Sequence, residues 1–505
     1  MDTLASYDEL PYDSLPLPET QPDFLAAVAK LHGFDAPDPR RARILELGCA
    51  QGGNLIPLAW RWPESDCVGV ELSRVQAEAG AAFIKRLGLP NVRIVHGDLA
   101  ALPEDLGAFD YIIAHGVFSW VPPTVQQALL DVCRRHLSPQ GVAYVSFNVA
   151  AGWATLLPLR EALLARTAGV AHAPQRYAAA RAVLDQLSRE WDDPVLLDEI
   201  AYLKTAAPSY LFHEYLADCN TPMSFGEFAA QLDAHGLRYV GEAGPRRAVV
   251  ELEDAWGLIP ESMAGRWLDA ECALDDALGT RFRRALIARA DASCAQPPKA
   301  DALDELAFYA DLASDEQLDL EHDSAQGFVN PAGNKFLVEN ALAKAALIAL
   351  SSAYPRALCY SDLIAALHAV RDGFGVAGEG DAARFRQAWF SLVLMHCVMP
   401  TLPAQAAPEL ADELGSHPHA HALARLQAAT PGWVVSGTRH VAIDLDAPAR
   451  ELLQRMDGSR DQAALVMEMG TYLTGAGIAL PPEQRAQRVD FLLWQLVRQG
   501  VCMAG

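Results

Sequence analysis

Apolar residues along this chain follow two different periods. In the first 150 positions they form short continuous runs that stop at turn or acidic residues. The runs are Arg43 to Leu47, Cys67 to Val70, Val92 to His96, Phe109 to Ala114 and Val142 to Phe147. Runs of this length with such boundaries predict strands of a parallel sheet buried on both faces. Three of them end at or near a carboxylate: Glu46 in the first, Glu71 after the second, Gly97-Asp98 after the third. Glu46 and Glu71 stand 25 residues apart, and Glu71 and Asp98 27. Each interval fits one helix and one strand of a right-handed βαβ repeat.

Beyond position 155 the helical period takes over. Leu156 to Ala168 and Gln175 to Trp191 place apolar residues near i, i+3, i+4 and i+7. Asp218 to Gly236 turns into a helix, and Tyr239-Val240 begins an extended return. Ala295 to Ala300, with its Pro pair, reads as a linker. Asn340 to Ser352 is an apolar, alanine-rich helix, and Ser361 to Val370 is another with Ser361 as N-cap. Gly373 to Gly380 is a loop. Trp433 to Gly437 and His440 to Ile443 pair as a hairpin, which after several helices suits a winged-helix-like module. The expected organisation is therefore an arm or lid over 1–40 with a short helix near Asp23 to His32, a Rossmann-like α/β domain over 41–170, a mainly helical domain over 171–298, and an α+β, winged-helix-like domain over 299–505.

With 505 residues, 51% of them hydrophobic, the chain can bury several cores. Its formal charge of −24 repels nucleic acid, whose binding relies on Lys and Arg neutralising phosphate. The same charge favours basic partners, or serves solubility alone. Nowhere do 18 apolar residues run together, and Met1-Asp2-Thr3 lacks the basic start of a secretory leader. The expectation is a cytoplasmic protein without membrane insertion. Nine scattered cysteines show no CxxC pair, and His417, His419 and His421 lack further ligands, so no metal site is expected.

The chemistry follows from the strand ends. The first strand runs into Gly48-Cys49-Ala50-Gln51-Gly52-Gly53, a turn in which glycine lets the backbone approach a ligand. An acid ending the second strand accepts from both ribose hydroxyls, and an acid ending the third accepts from an adenine amino group. No Gly-Lys-Ser/Thr phosphate loop is present, which suits an adenosine ligand without phosphate. A glycine turn with a downstream acid also fits an NAD-type domain.

The segment Glu46-Leu47-Gly48-Cys49-Ala50-Gln51-Gly52 resembles the first motif of the class I S-adenosylmethionine methyltransferases, with Ala50 in place of the middle glycine. Phe109-Asp110 before an apolar strand and Leu137-Ser138-Pro139-Gln140-Gly141 before the fifth strand are similar to that family as well. The resemblance implies S-adenosylmethionine as cofactor and S-adenosylhomocysteine as product. It implies cofactor contacts from Glu46, Gly48, Gly52, Asn54, Glu71, Leu72, Gln76, Asp98, Leu99 and His115. A narrower resemblance rests on Tyr7 to Tyr12, Gly52 to Pro57, His115 to Val121, Asn148 to Trp153 (with Ala151 where a proline is expected), His213 to Leu216, Asn220 and Pro222. These resemble bacterial protein-lysine methyltransferases with a methyltransferase regulatory domain, including the rickettsial enzymes that modify outer-membrane protein.

That resemblance implies a homodimer with a wide cleft and a basic protein or peptide substrate, methylated at lysine ε-amino groups. Tyr7, Tyr12, Phe118, Trp120 and Trp153 are candidates for an aromatic rim around cationic groups, against the alternative that they are core. Tyr12, His115, Trp120, Asn148 and Trp153 are the candidate catalytic residues, with His115 as proton acceptor or cofactor contact and Asn148 as partner of the incoming amine. His213, Glu214 and Tyr215 either close the pocket or pack. Asp192-Asp193 and Asp275-Asp276 read as solvated turns or helix faces. His115-Gly116-Val117-Phe118 stands where amino-methyltransferases of nucleic acids carry Asp/Asn-Pro-Pro-Tyr/Phe, which argues against nucleobases. Two other functions remain open: methylation of a small-molecule or peptide carboxylate or hydroxyl, and a non-catalytic scaffold.

Overall fold

The computed structural model describes residue 9 and residues 14–103, 106–244, 266–296, 298–370, 379–403, 415–478 and 480–503. Its centre is a seven-stranded sheet: β1 (Arg43–Leu47), β2 (Asp66–Glu71), β3 (Val92–His96), β4 (Phe109–Ala114), β5 (Leu137–Asn148), β6 (Leu237–Glu242) and β7 (Phe282–Arg289). The spatial order is β3-β2-β1-β4-β5-β7-β6. β1 to β5 pair in parallel, and β7 lies antiparallel between β5 and β6.

Successive side chains of a strand point to opposite faces, and the sequence uses this. Ile44, Tyr111, Ile113 and Tyr144 enter one core, beneath the helices Pro22–Leu31, Leu55–Arg61 and Arg74–Leu87. Leu45, Leu47, Ile112, Ala143, Val145 and Phe147 enter the other, with the helices Pro123–His136 and Phe225–Ala234. Apolar residues are required at both parities, which is why the strands read as unbroken apolar runs.

The sheet does not end where the α/β domain was expected to end, at 170. β6, where Tyr239-Val240 was expected to begin an extended return, and β7 come from the region expected to be mainly helical, and both are hydrogen-bonded into the sheet. Five helices between Ala150 and Tyr215 build a separate core around Trp153, Leu159, Leu184, Ile200 and Tyr215.

The C-terminal region contains two cores. One joins the helices Ala341–Ala353, Tyr360–Val370 and Glu379–Leu394 to a three-stranded sheet of Leu358–Cys359, Ala307–Tyr309 and Met399–Thr401. The other joins four helices between Ala422 and Arg498 to the hairpin Val435–Ser436/Ala442–Ile443. Asn340 caps the first of the seven helices, its Oδ1 accepting from the Ala343 N–H at 2.9 Å. Ser361 does not act as a cap: the strand Leu358–Cys359 runs directly into a helix that starts at Tyr360. Most of the Gly373–Gly380 loop lies outside the described residues. No helix among the described residues is long and apolar enough to cross a membrane.

Candidate functional site

In an open parallel sheet, ligands sit beyond the carboxyl ends of the strands where the order reverses. Here that is the crevice between β1 and β4. The turn after β1 is shaped for close approach. Gly48 has φ +70°, and a Cβ there would meet the Val117 side chain at 2.7 Å. Ala50 adopts φ +50°, a left-handed conformation that costs a non-glycine residue roughly 1–2 kcal/mol. Glu71 holds it there: one carboxylate oxygen accepts from the Ala50 N–H at 2.8 Å, the other from the Ser73 N–H at 2.7 Å. Gly53 lies under the N-terminal arm, its N–H donating to Ser14 Oγ at 2.7 Å.

Glu46 is buried within the first strand. Its Oε1 accepts from Asn54 Nδ2 at 3.0 Å, and its Oε2, equally buried, has no hydrogen-bond partner. Burial raises its pKa to about 8, with Glu71 adding to the effect and the Asn54 hydrogen bond opposing it. A buried polar oxygen without a hydrogen-bond partner is unfavourable unless a ligand supplies one. Leu72, 49% exposed, and half-buried Leu99 follow the ends of the adjacent strands β2 and β3. Asp98 is exposed, with one oxygen accepting from the Ala100 N–H. Gln76 is buried in the first turn of the helix that Ser73 caps. Asn54 is placed differently from the expectation of a direct cofactor contact. Its amide is buried, and its polar atoms are engaged by Glu46, Leu17, Thr20 and His440.

The strands β4, β5 and β7 bring a second group together. His115 Nδ1 pairs with the Tyr144 hydroxyl at 2.9 Å, and the Phe282 ring meets the imidazole edge-on at 5.8 Å. Burial pulls the His115 pKa down to about 4 against the raising effect of Glu19, with Arg284 adding to the fall. The imidazole is therefore neutral at physiological pH. Arg284 lies over Phe282 at 5.0 Å and binds Glu19 of the arm at 2.8 Å. Glu19, Tyr144, Phe282 and Arg284 were not singled out from the sequence. The available signal was the Arg283-Arg284 pair in an otherwise apolar strand.

Beside this group opens a cavity of about 620 Å³, lined in part by Phe282, Glu242, Glu271, Asp275, Arg281 and Arg283. Arg283 reaches all three carboxylates, Asp275 and Glu271 at 2.8 Å and Glu242 at 3.3 Å. Arg281 is held at 2.6 Å by Glu199, which also accepts from the Tyr215 hydroxyl at 2.6 Å. Three carboxylates and two guanidiniums thus line the cavity, with a fourth carboxylate, Glu199, paired to Arg281. Asp275 corrects the expectation of a solvated face: it is 4% exposed because it is a partner of Arg283.

The remaining candidates divide. Asn148 is buried, donating from Nδ2 to Asn220 Oδ1 at 2.9 Å. Trp120 is half-buried and meets Trp153 edge-on at 6.1 Å. Trp153 is 5% exposed and packs into the helical core against Tyr215, so it does not form a solvent-facing rim. His213 is buried and Tyr215 is core, while burial, with Glu199 nearby, raises the Glu214 pKa to about 8. Tyr7 and Tyr12 lie outside the described residues. His421 caps a helix and stacks on Trp60, and no metal-binding cluster occurs among the described residues.

Three family models match the chain: a methyltransferase domain over residues 44–141, a predicted methyltransferase regulatory domain over 207–289, and a PKMT C-terminal winged helix domain over 416–490. The uncharacterized protein RP789 of Rickettsia prowazekii is 37% identical over 242 residues, 47% of this chain and 44% of that protein. Uncharacterized protein RP028 of the same organism is 34% identical over 229 residues, 44% of this chain and 92% of that protein. The structure of PKMT2 from Rickettsia typhi in complex with AdoHcy superposes with a TM-score of 0.82 at 21% identity, covering 98% of this chain and 100% of that one. This last likeness establishes the fold along the full length.

Proposed function

Because the chain belongs to the class I S-adenosylmethionine-dependent methyltransferases, in the branch with a regulatory domain and a PKMT winged helix, we propose that it methylates lysine ε-amino groups of a protein substrate. The residues present fit the cofactor. Glu46 offers a buried carboxyl oxygen without a partner, the Gly48 turn leaves space where a side chain would clash, and Glu71 and Asp98 stand at neighbouring strand ends. When bound, the cofactor supplies an electrophilic sulfonium methyl to be taken in line by a lone pair.

The observation that carries the lysine reading is the acidic cavity. It meets the strand-end site at Phe282, whose ring touches both His115 and the cavity. Excess carboxylate there attracts an ammonium-bearing side chain and repels a carboxylate substrate. The Phe282 ring in its lining favours a methylammonium product. Neutral His115 adds no positive charge beside a cationic donor, and Asn148 and Trp120 stand on the same edge of the sheet.

Incubation with methyl-labelled S-adenosylmethionine and either protein extract or small metabolites tests the proposal, followed by mass spectrometry of labelled peptides. Label on lysine in the protein fraction is expected. Label confined to the low-mass fraction, or on carboxylates, would overturn it.

A further inference from the structure

The C-terminal module reaches the cofactor loop through the turn of its hairpin. The hairpin Val435–Ser436/Ala442–Ile443 closes through a turn in which the Gly437 N–H bonds the Val441 carbonyl and the His440 N–H bonds the Gly437 carbonyl. This turn holds His440 at φ +57°. A non-glycine residue in that region persists only where its surroundings impose it, and such positions cluster at functional sites. The His440 ring is buried, and its Nε2 lies 2.7 Å from Asn54 Oδ1, across 386 residues of sequence. The ring is neutral, its pKa pulled down to about 3 by burial and by Arg61. Asn54 Oδ1 can only accept, so Nε2 carries the hydrogen.

The same oxygen lies 3.0 Å from the Leu17 N–H and 3.0 Å from Thr20 Oγ1, both in the arm. Donors on this side fix the amide orientation, which turns Nδ2 to Glu46 Oε1 at 3.0 Å. A flipped amide would place oxygen against carboxylate and nitrogen against His440 and Leu17. We propose that His440 is a positioning residue of the methyl-donor site, through which the winged-helix module holds Asn54 and thereby Glu46. This rests on the reading of Glu46 as a cofactor contact.

Neighbouring contacts keep the module in register. Arg61 bonds Asp23 at 2.8 Å and Gln21 at 3.1 Å, and Gln21 donates to the Arg439 carbonyl at 3.1 Å. Trp433 stacks on Phe83 with ring centres 3.6 Å apart, and Gln51 of the glycine loop donates to the Gly432 carbonyl at 3.3 Å.

Calorimetric titration of the full chain with S-adenosylhomocysteine tests the inference. Failure of the unaltered protein to bind would reject the cofactor site itself. If it binds, His440→Phe, which keeps a ring and removes the donor, should weaken affinity about tenfold, the scale of one hydrogen bond near a charged group. His440→Gln restores an N–H donor and should recover most of the affinity. Equal losses in the two variants would reduce His440 to packing, and full affinity in His440→Phe would overturn the proposal. Should His440→Phe not fold, Asn54→Asp tests the next link: it still accepts from His440 but replaces the N–H donor to Glu46 by a second carboxyl group, so affinity should fall. Unaltered affinity there would likewise sink the inference.

Discussion

Glu46 keeps a buried carboxyl in the first strand at the expense of stability. Its carboxyl holds a proton up to about pH 8 in the folded chain, against an ordinary value of 4.5. Between those values the folded state keeps a proton that the unfolded state has released, so stability falls as pH rises through that window and levels off above it. Glu46→Gln removes the titration and keeps an acceptor for Asn54. The thermal midpoint of the variant should therefore exceed that of the parent by a margin that widens from about pH 5 to pH 8, worth about 1–3 kcal/mol at the upper end. Cofactor affinity should fall. Parallel pH profiles from scanning calorimetry would show that the buried carboxyl is not destabilising. The strand-end acids were legible because the βαβ repeat fixes their spacing. The hydrogen bonds of Asn54 were not legible, because one of its partners, His440, is 386 positions away.

Elements were legible where their period was unbroken. The parallel strands, the helix after Asn340 and the hairpin near 433–443 followed from local pattern. β7 did not, because Arg283 and Arg284 interrupt its start. Those residues are tolerated only because three carboxylates and Glu19 meet them, and no local signal reveals such partners. Trp153 tests the same limit. Its place after the fifth strand suggested a substrate rim, yet the five helices from Ala150 to Tyr215 close over it. Trp153→Ala should cost roughly 3–5 kcal/mol, as for other large core aromatics. A denaturant titration measures this, with S-adenosylhomocysteine affinity changed less than threefold at temperatures where the variant is folded, within the scale of about 0.6 kcal/mol set by thermal energy. A stable variant with lost transferase activity would return Trp153 to the substrate site.

At the scale of the whole molecule, the arm, sheet and C-terminal module converge on one loop, and a chain of formal charge −24 carries a cavity lined by three carboxylates and two guanidiniums. Sequence composition alone left two uses for that charge, partner attraction or solubility, because it does not locate the carboxylates. The structure places Glu242, Glu271 and Asp275 in the lining of one cavity together with Arg281 and Arg283, and the surplus of carboxylate there focuses a negative field on an approaching cation. Encounter with a basic peptide should then depend on ionic strength, since exposed charges are screened beyond about 10 Å at 0.1 M salt and about 3 Å at 1 M. Steady-state assays with a lysine-rich peptide should show KM rising several-fold between about 0.05 and 0.5 M salt while kcat stays nearly constant, because steering acts on association rather than on methyl transfer. Reversing the cavity charge by Glu271→Lys is a poor control, as it would set a second cation against buried Arg283 and leave it only Asp275 and Glu242 as partners. Glu242→Gln is better: it keeps shape and an acceptor, and should flatten the salt dependence. A KM indifferent to salt in the parent protein would mean that the acidic surface serves solubility and that the substrate is recognised by contacts independent of charge.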